Sequence, residues 1–211
     1  MIRLRPGAPI AVACVVLLAL PAAIACGEGD QSRVSPADIR QIVASLPSLQ
    51  ASTAAGSGEL TDKQKLPPPV LDQGLAAKWK GQYAAEYQDV RPGVQLMLVS
   101  ADVYKTRAAA QKRYEAQPVV LRKLLDPFAG ADIADITLPQ GGPACAGMSV
   151  KQAEIVSEHF VYCRVDTTVI YVQVNGADES TSIDLASTVA DEFAGAISAA
   201  VGAATPSSTS G

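Results

Sequence analysis

One short stretch of the chain contains the residue types that acid and base catalysis uses. His159, the single histidine of the sequence, directly follows Glu158, and Glu154 precedes both. A carboxylate and an imidazole can exchange protons with a substrate when a fold holds them in one cleft. The stretch also matches a predicted tight turn at Ser157 and Glu158, where solvated charges are common. We therefore predict surface charges here, and a dispersed hydrolase or transferase site near His159 is the alternative.

Other signatures of catalysis or cofactor binding are missing from the sequence. There is no G-x-S-x-G motif around a nucleophilic serine. The glycine-rich residues 140–143 lack the lysine of a phosphate-binding loop. Asp126, Asp132 and Asp135 lack the alternating spacing and closing glutamate of a calcium loop. We expect no catalytic residue, no metal and no cofactor, and the sequence leans toward a protein that is not an enzyme.

The single tryptophan, Trp79, stands between Lys78 and Lys80. A tryptophan flanked by cations can lie at a membrane surface or stack on a sugar. The same pattern is typical of a ring at the edge of a core, with the lysines reaching out to water. We predict the core position.

The four cysteines divide into two groups by their surroundings. Cys14 and Cys26 lie in or beside the apolar N-terminal segment, whereas Cys145 and Cys163 lie in the region predicted to fold. Two cysteines in an exported domain favour a disulfide, and we predict a Cys145–Cys163 bond. A zinc site would need further ligands at closer spacing, and a reactive thiol would need a basic partner on its own side of the strand, which the adjacent Arg164 does not provide.

The first 25 residues have the layout of an export signal. Arg3 and Arg5 are followed by an uncharged apolar run over residues 10–20, and small residues come next. This order of basic, apolar and small residues is typical of a cleaved signal peptide. A membrane span would need about 20 apolar residues, so an uncleaved anchor is the weaker alternative.

The residues after this run, Ala23-Ile24-Ala25-Cys26, resemble the lipobox of bacterial lipoprotein precursors. The usual leucine three positions before the cysteine is Ala23 here. The resemblance implies that Cys26 is thioether-linked to diacylglycerol and becomes the mature N-terminus. Cleavage by an ordinary signal peptidase, which gives a secreted form, is the second possibility. Residues 26–34 are small and polar and are predicted to tether the domain to a membrane.

Charge excludes one large class of partner. The formal net charge is −4, and removal of Arg3 and Arg5 with the signal would lower it to −6. Nucleic-acid binding requires clustered lysine and arginine to neutralise phosphates. We expect no nucleic-acid partner.

The segment over residues 35–80 predicts one helix followed by a loop. Ser35, Pro36 and Asp38 are helix-start signals, and apolar residues recur with helical spacing up to residue 46. Residues 48–58 have little to bury, and three consecutive prolines follow in residues 66–70. We predict that this stretch is a proline-rich loop lying over the fold.

Residues 81–201 predict the main domain. Strands are expected over residues 82–87, 94–104, 133–138, 148–156, 159–165 and 168–175, and helices over residues 106–117 and from Ser182 to about residue 201. Two hairpin-plus-helix units, residues 81–117 and 158–201, share this order, and either duplication or common secondary structure explains it. Residues 202–211 are predicted to be disordered.

These elements predict an α+β fold, with an antiparallel sheet of five or six strands and helices packed on one face. The plan resembles small actinobacterial-type lipoproteins with a Mog1/PsbP-like sheet. From the signal, the cysteines and the missing catalytic groups we infer a lipid-anchored, non-enzymatic domain outside the cytoplasm that binds an envelope protein, glycan or lipid. A carrier of a hydrophobic small molecule, held between sheet and helices, is a further alternative.

Overall fold

The computed structural model describes residues 32–125, 132–138, 144–152, 156–176 and 178–203. The predicted signal segment, Cys26, Glu154, Asp126 and residues 204–211 lie outside these ranges. The elements are α1 (Pro36–Ser45), β1 (Ala54–Leu60), α2 (Pro68–Asp72), β2 (Trp79–Arg91), β3 (Val94–Tyr104), α3 (Arg107–Leu125), β4 (Asp132–Ile136), β5 (Cys145–Gln152), β6 (Val156–Val165), β7 (Thr168–Gly176) and α4 (Glu179–Ala203), with short 3-10 helices at Pro47–Leu49, Lys63–Lys65 and Leu75–Lys78.

All seven strands form one antiparallel sheet in the order β1-β2-β3-β7-β6-β5-β4. The α+β prediction is confirmed, but the sheet is wider than the five or six strands expected. The additional strand is β1, in the segment predicted to be loop. Its side chains are almost all exposed on both faces. Its sequence therefore lacks the alternation of apolar and polar residues by which a half-buried strand is recognised. It is an edge strand that pairs with β2 through the backbone.

The helices cover both faces of the sheet, so the prediction that they pack on one face is wrong. Alternate residues of β3 point to opposite sides. Met97 and Val99 share a core with α1 and α4, whereas Tyr104 packs with Ala110 and Val120 of α3. We call these sides the α4 face and the α3 face. Because the two hairpin-plus-helix units place their helices on opposite faces, they do not repeat one packing arrangement.

The α4 face is the larger core, and local signals in the sequence predicted its two helices well. Ser35 and Asp38 form a reciprocal capping box at the start of α1. One apolar face of α4 is buried, but the helix begins at Glu179, where the Asp178 carboxylate accepts a hydrogen bond from the Thr181 backbone N–H. The predicted cap, Ser182, is therefore inside the helix and buried. The buried α4 residues of this core are Leu185, Ala186, Val189, Ala190, Phe193, Ala194 and Ile197.

The α1 helix belongs to the same packed body as the sheet. Its Ile39 and Val43 are buried against the α4 face. Val34, the last residue of the segment predicted to be a tether, is buried in the fold. Within the described ranges, no helix is both long and apolar enough to cross a bilayer.

Helix α3 is longer than predicted. The prediction ended it at Gln117. The next residue, Pro118, lacks a backbone donor, and a proline normally stops a helix. The helix continues through Pro118 to Leu125. Val120 and Leu121, beyond the proline, are buried against the α3 face, and this burial offsets the missing hydrogen bond.

One turn joins two neighbouring strands, whereas a turn that the sequence predicted is absent. The turn at Pro92 and Gly93 joins β2 to β3, and Gly93 has a φ of 84°, which a residue with a side chain rarely adopts. The turn predicted at Ser157 and Glu158 is absent, because both residues lie within β6. This shift changes the surroundings of His159.

The predicted disulfide between Cys145 and Cys163 is present. The two residues pair directly across β5 and β6, with a Cα–Cα distance of 4.1 Å. The Cys163 side chain is fully buried in the α4-face core. The bond therefore cross-links β5 to β6, in addition to the backbone hydrogen bonds between these strands.

We expect the double substitution Cys145→Ala and Cys163→Ala to lower the free energy of unfolding by about 3 kcal/mol, since the bond closes a loop with a sequence separation of 18. Urea unfolding with and without dithiothreitol measures this. Reductant should destabilise the native chain and leave the double variant unchanged. An equal effect of reductant on both chains would contradict the prediction.

Candidate functional site

The structure separates the residues that the sequence suggested for acid and base chemistry. Glu158 and His159 are neighbours on β6, so their side chains point to opposite faces. His159 is fully buried, whereas Glu158 is partly exposed on the α3 face and accepts weak hydrogen bonds from Gln173 and Asn175, at 3.4 and 3.3 Å. The two groups do not form one catalytic pair.

His159 is enclosed by the fold, with 0% of its surface exposed. Neither ring nitrogen has a hydrogen-bond partner among the described residues. Burial lowers the pKa of His159, and its charged neighbours Glu179 and Lys151 act in opposite directions on it. The ring is therefore neutral in the folded protein near pH 7.

A different set of polar residues meets on the α3 face. The Trp79 ring is buried, as predicted for a core position, and its indole N–H donates a hydrogen bond of 3.0 Å to Oδ1 of Asp102. Asp102 is in the middle of the sheet on β3 and is 3% exposed. The β2–β3 hairpin brings the two together, since the register pairs Trp79 with Tyr104, two residues beyond Asp102.

Arg113 of α3 completes this cluster. Its Nε lies 3.5 Å from Oδ2 of Asp102, and both side chains are almost completely buried. A guanidinium N–H also donates to the Gln117 side-chain oxygen, one turn along the helix. The guanidinium carbon lies 5.1 Å from the centre of the Tyr171 ring, a cation–π contact.

Burial dominates the electrostatics of the cluster. It raises the pKa of Asp102, although Arg113 and the Trp79 hydrogen bond oppose the shift. Burial also raises the pKa of Tyr104 and Tyr171. For Arg113, burial lowers the pKa, but Tyr171 and Asp102 more than offset it, and the net shift is upward. Arg113 is thus a fixed cation, and its guanidinium beside Asp102 favours the ionised form of that carboxyl against the effect of burial.

The cluster lies against a cavity of about 250 Å³ between α3, the start of α2 and the sheet. Its walls are largely aliphatic and aromatic, and its polar lining comes from Gln82, Ser100, Asp102, Arg113, Gln117 and Gln173. Val120, Leu121 and Leu124, from the part of α3 beyond Pro118, form one wall. Leu124 is 39% exposed, so this wall reaches the protein surface.

The arrangement offers hydrogen-bond donors and an apolar wall to a molecule in the cavity. The cavity lining contains no histidine, lysine or cysteine, the residues that most often activate a nucleophile or transfer a proton. Both oxygens of its one carboxylate, Asp102, face Trp79 and Arg113. Among the described residues, no three His, Cys, Asp or Glu side chains lie close enough together to hold a metal ion.

Sequence reasoning did not single out Asp102 or Arg113. One signal was available: Asp102 interrupts the apolar strand over residues 94–104, and a buried carboxylate needs a partner. Nothing in the sequence indicated that Arg113, on the following helix, was that partner. The disulfide cysteines were found correctly, and Cys26 lies outside the described residues.

Comparisons with known proteins reveal little likeness. No protein-family model matches the chain, and no curated protein matches it in sequence. Among solved structures, the chain is similar to the extracellular domain of PknH from Mycobacterium tuberculosis, with a TM-score of 0.44 and 12% identity, covering 76% of this chain and 91% of that one.

We expect acidification to destabilise the domain through His159. A group with a lowered folded-state pKa keeps its full contribution above the unfolded value of about 6.5 and loses it as the pH falls toward the folded pKa. His159→Leu should remove that part of the pH dependence, which is at most about 1.4 kcal/mol per pH unit. Urea unfolding of both chains between pH 7.5 and 5 measures it. Parallel stability curves for the two chains would contradict it.

Proposed function

We propose that this protein is a lipid-anchored, extracytoplasmic binding domain that holds a small, mainly apolar molecule between α3 and the sheet. The observation that supports this function is the cavity of about 250 Å³ with a buried Asp102–Arg113 pair in its lining. Ligand sites are typically apolar pockets with a few well-placed polar groups. An apolar cavity of roughly 150 Å³ holds benzene, so this one suits a ligand of about ten non-hydrogen atoms.

Two observations support a location outside the cytoplasm. The Cys145–Cys163 disulfide is typical of proteins in oxidising compartments. The apolar run and the lipobox-like residues ending at Cys26 are typical of an exported lipoprotein. The anchor would hold the binding domain at the envelope surface, where it could sample or pass on apolar molecules.

A dispersed enzymatic site near His159 has less support. The ring is buried on the α4 face, and Glu158 is on the other face. A base must come within hydrogen-bond reach of its substrate, and the cavity lies on the side away from His159. The geometry therefore favours binding over catalysis.

Filling the cavity should abolish binding. Ser100 is a small buried residue of the cavity lining, and Ser100→Leu would occupy the space that a ligand needs. We expect this change to weaken binding of ethylbenzene at least about tenfold, measured by calorimetry. Ser45→Leu, the same change at an exposed site on α1, is the matched control. Equal affinity in both variants would contradict a site in this cavity.

Intact-mass spectrometry of the membrane fraction tests the anchor. The native chain should lack residues 1–25 and have a diacylglyceryl group on Cys26. Cys26→Ala should lose the lipid and leave the membrane fraction, whereas Cys14→Ala, the same change within the predicted signal, should remain lipid-linked. A native chain that retains its first 25 residues, or has an unmodified Cys26, would refute lipid anchoring.

A further inference from the structure

The polar groups around Arg113 include more donors than acceptors. Arg113 has five N–H groups, and one of them donates to the side-chain oxygen of Gln117. Its Nε faces Asp102 at 3.5 Å without a hydrogen bond of ordinary geometry. A guanidinium has no acceptor of its own, so its remaining donors need acceptors from elsewhere.

Gln117 increases this excess. Its side-chain oxygen already accepts from Arg113, which fixes the orientation of the amide. The –NH₂ end is then the free end, with two donors, and it has no acceptor within the part of the chain that the structure describes. Gln117 is 5% exposed and lines the cavity, so these donors are also close to any bound ligand.

Both oxygens of the Asp102 carboxyl face donors. The buried hydroxyls of Tyr104 and Tyr171 are the other acceptors near Arg113, and each of them also brings a donor of its own that has no partner among the described residues. A buried donor without an acceptor costs free energy, whereas an added acceptor removes that cost. A ligand of this cavity therefore gains most by bringing an oxygen acceptor to Arg113 and Gln117.

The charge of that acceptor is limited by Asp102. The carboxylate neutralises Arg113 within a region from which water is excluded. A second carboxylate bound to Arg113 would face Asp102 at close range, and two like charges in such a site disfavour each other. It would also lose its own hydration. A carbonyl oxygen meets the same donors without either cost.

We propose that the ligand of this cavity is a neutral carbonyl compound, such as a ketone, ester or amide, whose oxygen accepts hydrogen bonds from Arg113 and Gln117 while its apolar body fills the aliphatic wall. This inference rests on the proposed function and adds the chemical class of the ligand to it. Asp102 then has a selective role, because it keeps Arg113 as a donor while excluding anions.

Three probes of one shape test the head group. Ethylbenzene has no acceptor, acetophenone has a neutral carbonyl, and benzoate has a carboxylate in the same place. We expect the native chain at pH 7.5 to bind acetophenone about tenfold or more tightly than either of the others. Calorimetry gives the affinities. Because the chain has one tryptophan, its single indole N–H resonance reports directly on the Trp79–Asp102 contact.

Asp102→Asn provides the charge-switch variant. Asparagine keeps an oxygen for the Trp79 N–H but removes the counterion of Arg113. We expect benzoate affinity to rise at least about tenfold over the native chain, with acetophenone changed by less than about threefold. Far-UV circular dichroism and the Trp79 indole resonance check that the variant is folded. The comparison of the three probes on the native chain does not depend on this variant.

The outcomes separate the two proposals. Equal binding of acetophenone and ethylbenzene, or tighter binding of benzoate by the native chain, would overturn the neutral-carbonyl inference and leave a binding cavity in place. If none of the three probes binds, both the proposed function and this inference fail. Both proposals are supported if the native chain prefers acetophenone and the Asp102→Asn variant binds benzoate more tightly than the native chain does.

Discussion

The two middle strands of the sheet, β3 and β7, are buried on both faces, and the rest of the fold follows from this constraint. Apolar residues on both sides of a strand must be covered. The α4 face is covered by a long helix and α1, which together exclude water over the central strands. On the other face one helix and a short proline-rich segment must cover the same strands. They leave a cavity where the cover is incomplete.

The buried Asp102–Arg113 pair lies at the edge of that incomplete cover. A buried ion pair contributes little net stability unless its geometry satisfies both ions, and an apolar substitute of similar volume often stabilises as well or better. Here the Nε–Oδ2 distance is 3.5 Å, and the Nε–H of Arg113 lacks an acceptor of good geometry. The cluster holds α3 on the sheet, but stability alone does not explain a buried Arg113 donor without an acceptor. A ligand that accepts a hydrogen bond from Arg113 would explain it.

Elements that depend on local sequence signals were predicted better than elements that depend on contacts between distant segments. The start of α1 and the presence of α4 were predicted correctly, because capping groups and helical periodicity act within a few residues. The second half of α3 and strand β1 were missed for the opposite reason. Pro118 is a correct local signal that the burial of Val120 and Leu121 overrides. The β1 segment has an exposed side-chain pattern, and only its pairing with β2 makes it a strand.

The sequence alone determined the element types of the main domain, the α+β class and the pairing of Cys145 with Cys163, since these depend on periodicity, turn residues and cysteine number. Only the tertiary structure decided that α3 lies on the face opposite α4, that Glu158 and His159 are separated, and that Asp102 meets Arg113. The physical reason is that the side on which a strand residue points depends on register, and a register one residue different reverses every side chain. Which charges share a cavity is therefore set by contacts between distant segments.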